Sequence, residues 1–352
     1  MLQRFLSTGF AISSFFAGYS QDSTKSTPAF KLSGSADMYY RYNFNNPTPP
    51  SYNNLTSFTN SQNSFELGMA SLKAEHSFGK AAITADLGFG KRAEDFSYND
   101  KAGSNGFSLS NVKQLYLSYS VSDKLKFTMG KWATHVGYEL VDAYLNRNYS
   151  MSYMFSKGPF FHTGLKADIS LGGKSAMMVG IANPTDFSTT TSSSKFAIAQ
   201  FSTATSDSKV KLYVNYQGGK PAPGVSLNQG DIVITGAVSD KFSIGYNGTV
   251  QSQKPSGKSG DSWWGSALYF NVDPTSYFGL TLRTEYFNDK KNVVAVNSKV
   301  FETTLSANFK VSNLTIIPEI RLDNASENIF SKNNGDFTKS TASAILAAVY
   351  SF

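Results

Sequence analysis

Three histidines, His76, His135 and His162, are the only imidazoles in the chain, and cysteine is absent. No two of them lie at metal-ligand spacing, and without cysteine no structural zinc set can be assembled. A G-x-S-x-G nucleophile turn is missing. His135 and His162 bracket the longest loop and could approach each other, which keeps a hydrolase as one alternative; hydrogen bonding by the two rings is the simpler use. Gly88-Phe89-Gly90 with Ala93 satisfies a loose G-x-G-x-x-A, but a dinucleotide site needs that turn to open a helix, and residues 91 to 111 read as too polar to make one. Gly173-Lys174-Ser175 and Gly257-Lys258-Ser259 look like the tail of a phosphate loop, yet Asp168 and Ser252 stand where its leading glycine belongs. The expectation is no catalytic residue, no cofactor and no metal.

The charged residues say more through their parity. Asp37, Arg41, Lys126, Lys131, Lys166, Asp168, Lys211, Arg283, Glu285, Glu302, Glu319 and Arg321 all alternate with apolar neighbours along their stretches. A Lys or Arg on the lipid face of a membrane strand costs about 2 to 4 kcal/mol at mid-depth, so charges on this register belong on a wet inner face. Rings of such side chains set ion preference. The signs are mixed, and the net charge of +7 leans weakly toward anions. The bland use is that the pairs Arg283/Glu285 and Glu319/Arg321 neutralise each other and brace the wall.

Residues placed this way need strands of a particular kind. In Phe30 to Phe44 one parity carries Phe30, Leu32, Gly34, Ala36, Met38, Tyr40, Tyr42 and Phe44, and the other carries Lys31, Ser33, Ser35, Asp37, Tyr39, Arg41 and Asn43. Side chains of a strand alternate between faces, so one face is apolar and the other wet. The chain has 28 Phe and 19 Tyr among 352 residues, yet its mean hydropathy is only -0.26. High aromatic content at polar hydropathy fits strands that average a lipid face with a water face. No apolar run beyond the N-terminus is long enough for a helical span.

The same unit recurs with short turns at Gly79-Lys80, Ser122 to Lys124, Gly172 to Lys174, Ser206-Asp207, Ser239 to Lys241, Asp273 to Thr275 and Val311 to Asn313. Between them lie polar loops at 45 to 63, 91 to 111, 133 to 162, 183 to 194, 218 to 229, 252 to 262, 288 to 299 and 324 to 338. Short turns alternating with long loops is the asymmetry of an outer-membrane barrel, turns periplasmic and loops outside. The tally is about sixteen strands in one all-β, closed antiparallel barrel over residues 30 to 352, wide enough for water. A parity change between Met69 and Leu72 marks a bulge, and Pro318 predicts a bulge or a missing ladder bond. Residues 1 to 20 read as a secretory signal peptide with Arg4 before an apolar core, and residues 21 to 29 as a short periplasmic segment. That leaves about ten residues before the first strand, too few for the plug of a TonB-type transporter. No basic cluster of the kind that binds nucleic acid is present.

Residues 130 to 164, GKWATHVGYELVDAYLNRNYSMSYMFSKGPFFHTG, resemble the corresponding region of the OmpL-like β-barrel porin family of diderm bacteria. Gly130, Lys131, Ala133, Thr134, Gly137, Glu139, Asn146, Asn148, Pro159, His162, Thr163 and Gly164 carry the match, and DMYYRYNFNNP, LRTEYFND and PEIRLD are similar as well. The resemblance implies an outer-membrane pore for small hydrophilic solutes with no established catalytic residues. By similarity to general porins the 133 to 162 loop would fold inward, which makes Glu139, Asp142, Arg147 and Lys157 candidates for a constriction. Tyr350 and Phe352, ending the last strand, resemble the signal read by the barrel-assembly machinery. Outer-membrane lipid is the expected surround, with a homotrimer open as an assembly. The rivals are a hydrolase barrel and a structural or adhesive barrel with a plugged lumen.

Overall fold

The computed structural model describes residues 29–48, 51–100 and 109–352. The signal-peptide reading at 1 to 20 and nearly all of the 21 to 29 segment lie outside the described residues. Sixteen antiparallel strands close into one barrel. They are β1 (Ala29–Asn43), β2 (Ser64–Phe78), β3 (Ala81–Phe89), β4 (Val112–Ser122), β5 (Leu125–Ala133), β6 (Phe161–Gly172), β7 (Ser175–Ala182) and β8 (Phe196–Ala204). The second half runs β9 (Val210–Ala222), β10 (Val225–Ser239), β11 (Phe242–Pro255), β12 (Asp261–Thr275), β13 (Phe278–Asn288), β14 (Lys299–Val311), β15 (Leu314–Ala325) and β16 (Ser340–Ser351). No described helix is long and apolar enough to cross a membrane; the strands do that.

Alternation sorts the side chains as the parity requires. Along β13, Phe278, Leu280, Leu282, Glu285's neighbours Thr284 and Tyr286, and Asn288 are half-buried, while Gly279, Thr281, Arg283, Glu285 and Phe287 between them are buried. On β1 the outward Phe30 and Leu32 are exposed, while the inward Asp37, Tyr39 and Arg41 are buried. Burial here means covered by protein inside the barrel, and exposure on the other parity means facing acyl chains.

Two local breaks have identifiable causes. The register between β1 and β2 slips at Asp37/Met38, so that Gly68 is the extra residue. Phe65 and Leu67 before it point outward, whereas Met69 after it is buried inside, which places the bulge earlier than the Met69-to-Leu72 reading. At Pro318 the β14–β15 ladder pairs Ser306 with Glu319 and Phe309 with Ile316 and skips what lies between, without a change of register. Proline has no N–H to give the ladder, so bonds are lost and no residue is inserted.

Three sequence expectations need correction. Residues 218 to 229 are not a long loop: β9 and β10 run on to a tight turn between Ala222 and Val225. Likewise β11 reaches Pro255 and β12 starts at Asp261, leaving little of the 252 to 262 loop. Residues 91 to 111 are not wholly irregular, because Lys91–Phe96 form a short helix, α1, with Arg92, Ala93 and Phe96 buried. It connects antiparallel neighbours, so the dinucleotide reading still has no βαβ unit to rest on.

The barrel is sealed where its last strand meets its first. Phe352 N–H donates to Gly34 O at 3.0 Å and Gly34 N–H returns to Phe352 O at 3.1 Å. A Cβ on Gly34 would stand 2.7 Å from the Phe352 ring and 2.8 Å from the carbonyl oxygen of Ser71. Gly34→Val is therefore expected to lower the yield of folded barrel, read as the heat-modifiable band on unboiled gels. An unchanged yield would show that the seam tolerates a side chain.

Candidate functional site

The segment 134–160 between β5 and β6 does not stand outside the barrel; it turns inward and lies on the inner wall of β12 to β15. Its short helix α2 (Tyr153–Lys157) is capped by Ser152, whose side chain accepts the Phe155 N–H. Every peptide group taken from water here must find a partner, and the wall carboxylates supply them. Glu319 accepts the N–H groups of Tyr149 at 2.7 Å and Ser150 at 3.1 Å. Glu285 accepts those of Tyr153 and Met154, both at 2.7 Å. From the same wall Arg283 donates to Ser150 O and Arg321 to Met151 O, each at 2.7 Å. Three apolar clusters fill the spaces beside these bonds, among them Tyr153 with Trp263 and Phe287, Tyr149 with Tyr39 and Ile345, and Met151 with Phe58 and Phe96.

Apart from Lys131, which has the parity of the outward Phe127 and Met129 and is covered by Phe96 and Phe161, the predicted inward charges lie on the inner face, but in two unlike settings. Arg283 is wholly buried and pairs with Glu139 at 2.6 Å and Glu302 at 3.0 Å. Arg321 pairs with Asp323 at 2.8 Å and lies 4.0 Å from Glu302. The expected couples Arg283/Glu285 and Glu319/Arg321 are thus replaced: Arg283 finds carboxylates across the ladder and on the loop, and Arg321 takes Asp323, the next inward residue of its own strand. Asp37 accepts the Tyr149 hydroxyl at 2.6 Å and sits 3.7 Å from Arg92. Arg41 ties down the 51–63 segment through the carbonyls of Tyr52 and Asn53. Lys131 pairs with Asp100 at 3.0 Å. Lys126 and Lys166 lie 3.7 and 3.8 Å from Asp168, and Lys211 is half-buried low on β9.

Of the constriction candidates, Glu139 joins the Arg283 cluster and Asp142 receives Lys113 at 2.6 Å. Arg147 forks onto Asp273 at 2.8 and 2.9 Å, and Lys157 is half-buried on α2. His135 and His162 do come together, with ring centroids 5.0 Å apart. Each is a hydrogen-bonder: His135 Nε2 to Tyr216 O and His162 Nε2 to Thr134 Oγ1, both at 3.0 Å.

With one side of the lumen occupied, open space remains on the other. A cavity of about 290 Å³ runs along the inner wall from Ser33, Ser71 and Ser118 near the turns to His135 and Gln200 at mid-wall, with Asp142 and Tyr144 of the loop as its far side. Lys73, Lys126 and Lys166 line it with side chains 29%, 35% and 17% exposed, whereas the lining carboxylates Asp86 and Asp168 are 3% and 2% exposed. Lys126 and Lys166 reach past the buried Asp168, whereas Lys73 pairs at 3.0 Å with Glu75, which is itself 34% exposed.

Several important residues escaped the sequence. Arg92 is fully buried, its guanidinium 4.9 and 4.8 Å from the ring centres of Phe58 and Tyr149, and nothing in a polar loop marked it. Lys113 bridges Asp86 at 3.1 Å and Asp142 at 2.6 Å; Asp86 had the inward parity, whereas Lys113 shares the parity of the outward Leu115 and Leu117 and is turned inside by the register shift that skips it, which alternation alone does not show. Asp186 was likewise hidden in a loop. It accepts the N–H groups of Phe160 at 2.7 Å and Phe161 at 2.9 Å and the Tyr98 hydroxyl at 3.2 Å, and burial pushes its carboxyl up to about 7. The folded chain thus holds this proton more tightly than the unfolded one. Its contribution is complete below the usual carboxylate range and is lost as pH rises through about 7. Hydrogen-exchange protection of the Phe160 and Phe161 amides should accordingly fall between about pH 5 and 8, and the Asp186→Asn variant should flatten that dependence.

A family model described as "Putative beta-barrel porin-2, OmpL-like" matches residues 29–352. Solved structures with the same architecture include an anion-selective porin from Comamonas acidovorans, with a TM-score of 0.62, 10% identity, and 93% of this chain and 100% of that one covered. The outer-membrane channel DcaP of Acinetobacter baumannii gives 0.61 at 12% identity over 94% and 99%. The trimer form of OmpT, an outer membrane protein of Vibrio cholerae, gives 0.60 at 11% over 93% and 100%. At such identities the likeness is one of fold. No curated protein matches the chain in sequence.

Proposed function

The chain belongs to the OmpL-like β-barrel porin family and is an outer-membrane porin, and on that premise we propose where its solutes pass and what they are. Small hydrophilic solutes cross by passive diffusion along the inner wall of β2 to β9, and the inward segment 134–160 is the constriction that confines them there. The single observation behind this reading is the asymmetry of the lumen: loop and charged wall are welded together on one side, while the open cavity lies on the other. Lys126 and Lys166, whose counter-charge Asp168 is buried, favour anions, because an exposed ammonium acts at short range on a passing ion and a covered carboxylate acts through protein. No step of the function calls for a catalytic residue; Tyr350 and Phe352 serve assembly, and the likeness to a trimeric barrel supports a homotrimer.

Single-channel recording of the purified protein in a planar bilayer tests this. Discrete conductance steps are expected, with a reversal potential in asymmetric salt displaced toward the chloride equilibrium value. A silent bilayer would favour the structural barrel, and a displacement toward the cation value would overturn the anion preference.

A further inference from the structure

The inner wall is not open along its whole height. Asn43 on β1, Phe196 on β8, Gln217 on β9, Trp263 on β12, Phe287 on β13 and Val300 on β14 face inward near their loop ends, and all are 0% exposed. Part of what covers this end is the segment 51–63, on the way from β1 to β2. Leu55 packs against the cluster that holds Trp263 and Phe287. Ser57 N–H donates to Ser156 Oγ at 2.9 Å, and Ser331 N–H donates to Asn53 Oδ1 at 2.8 Å. Phe58 is buried beside Phe155 and Phe160, with ring centres 6.0 and 5.5 Å away. Its φ of +75° is left-handed, a conformation that a bulky residue keeps only where its surroundings impose it.

Arg41 roots this segment. Its buried guanidinium donates to three of the segment's carbonyls, Tyr52 O at 2.9 Å, Asn53 O at 3.2 Å and Ser61 O. Among the described residues no carboxylate forms an ion pair with it; Asp323, whose charge reaches it, is held by Arg321 at 2.8 Å. A full buried charge is thus met only by neutral acceptors, which leaves it short of compensation.

Resting on the anion-porin reading, we propose that Arg41 is a binding site for a small carboxylate and that the segment 51–63 is the lid over it. The carboxylate competes with the three carbonyls for the guanidinium, and the segment lifts as it takes their place. Two parallel N–H···O bonds to a charged acceptor fit the planar fork and are about twice as strong as bonds to neutral ones. A round chloride cannot span the fork. Strain at Phe58 is released in the same movement, which narrows the gap between closed and lifted arrangements that the ligand has to shift. As Phe58 leaves Phe155 and Phe160, an apolar constriction opens to water.

Single-channel recording in sodium acetate and in sodium chloride at equal ionic strength tests this through the fraction of time spent open. Acetate should raise the open fraction of the wild type severalfold over chloride. In Arg41→Gln, which loses both the fork and its hold on the carbonyls, the open fraction should be high in both salts. Ser51→Cys with Ser331→Cys leaves Arg41 in place. The two hydroxyl oxygens lie 2.8 Å apart and the chain has no native cysteine, so the oxidised pair should hold the lid shut in acetate until a reductant is added. Equal open fractions of the wild type in the two salts, an Arg41→Gln channel that keeps the wild-type response, or a bridged pair that still answers acetate overturns the proposal. Thiol labelling of Thr59→Cys, a position buried in the closed lid, reads the same movement without conduction and should run severalfold faster in acetate. If the bilayer is silent yet labelling follows acetate, the porin reading fails and this one stands; a conducting channel whose Thr59→Cys labels equally in both salts defeats this one alone.

Discussion

Deleting residues 140 to 156 is expected to raise single-channel conductance severalfold while the barrel still folds. The deleted segment contains Tyr149, Ser150, Tyr153 and Met154, whose N–H groups are held by Glu319 and Glu285, and its removal opens the whole β12 to β15 side of the lumen to water. Folding should survive because the strands on either side pair without the loop: Ala133 lies opposite Phe161, and Thr134 N–H donates to Phe160 O at 2.9 Å. Trp263 and Phe287 would lose their cover and lower the stability of the barrel interior, but the ladder that closes the wall is untouched. Once hydrated, Arg283, Glu285, Glu302, Glu319, Arg321 and Asp323 interact in high dielectric and become a second, mixed lining. Anion preference should therefore drop along with the rise in conductance. A deletion variant that folds and conducts like the wild type would remove the loop from any part in limiting flow.

The barrel itself was legible because a period of two can mean only one thing when it repeats through the chain: Phe30 to Phe44 and the hairpins after it state which face is wet. Even Pro318 announced its missing ladder bonds. Strand ends were less legible where both parities turn polar, as at Gly218 to Gln229, because a strand that rises clear of the bilayer no longer needs an apolar face. The inner wall was half legible. Parity put Arg283, Glu285, Glu319 and Arg321 inside, but partner choice depends on a loop that reaches across the lumen, and Glu139 meets Arg283 from the far side of the chain. Arg92 and Asp186 were beyond reach for the same reason: what buries them is the fold of other loops. Resemblance to a porin family singled out residues 130 to 164, and the structure shows why that stretch is unusual, since it carries the inward segment and the adjoining ends of the two strands that anchor it.

The largest effect of a single substitution is expected at Arg283, which no water touches. Its Nε donates to Glu302 at 3.0 Å, and its Nη1 to Glu139 at 2.6 Å and Ser150 O at 2.7 Å. Arg283→Met keeps much of the volume but leaves two carboxylates buried with their principal cation gone, a change that costs about 3 to 5 kcal/mol where it has been measured in buried pairs. Glu302 retains Arg321 only at 4.0 Å, too far to replace the lost fork. The guanidinium also ties the wall to the loop, so the variant should show a lower midpoint of chemical unfolding together with open-channel noise as residues near Ser150 detach. Arg283→Lys restores the charge without the planar fork that reaches Glu302, Glu139 and Ser150 at once, and should fall between the two. The triple variant Arg283→Met, Glu139→Gln, Glu302→Gln separates charge from packing: with the orphaned carboxylates neutralised, most of the lost stability should return, while the noise persists because the bond to Ser150 O is still missing. A triple variant no more stable than Arg283→Met would mean that the cation contributes through its contacts alone, and that the charges facing one another across this lumen are not what hold the loop in place.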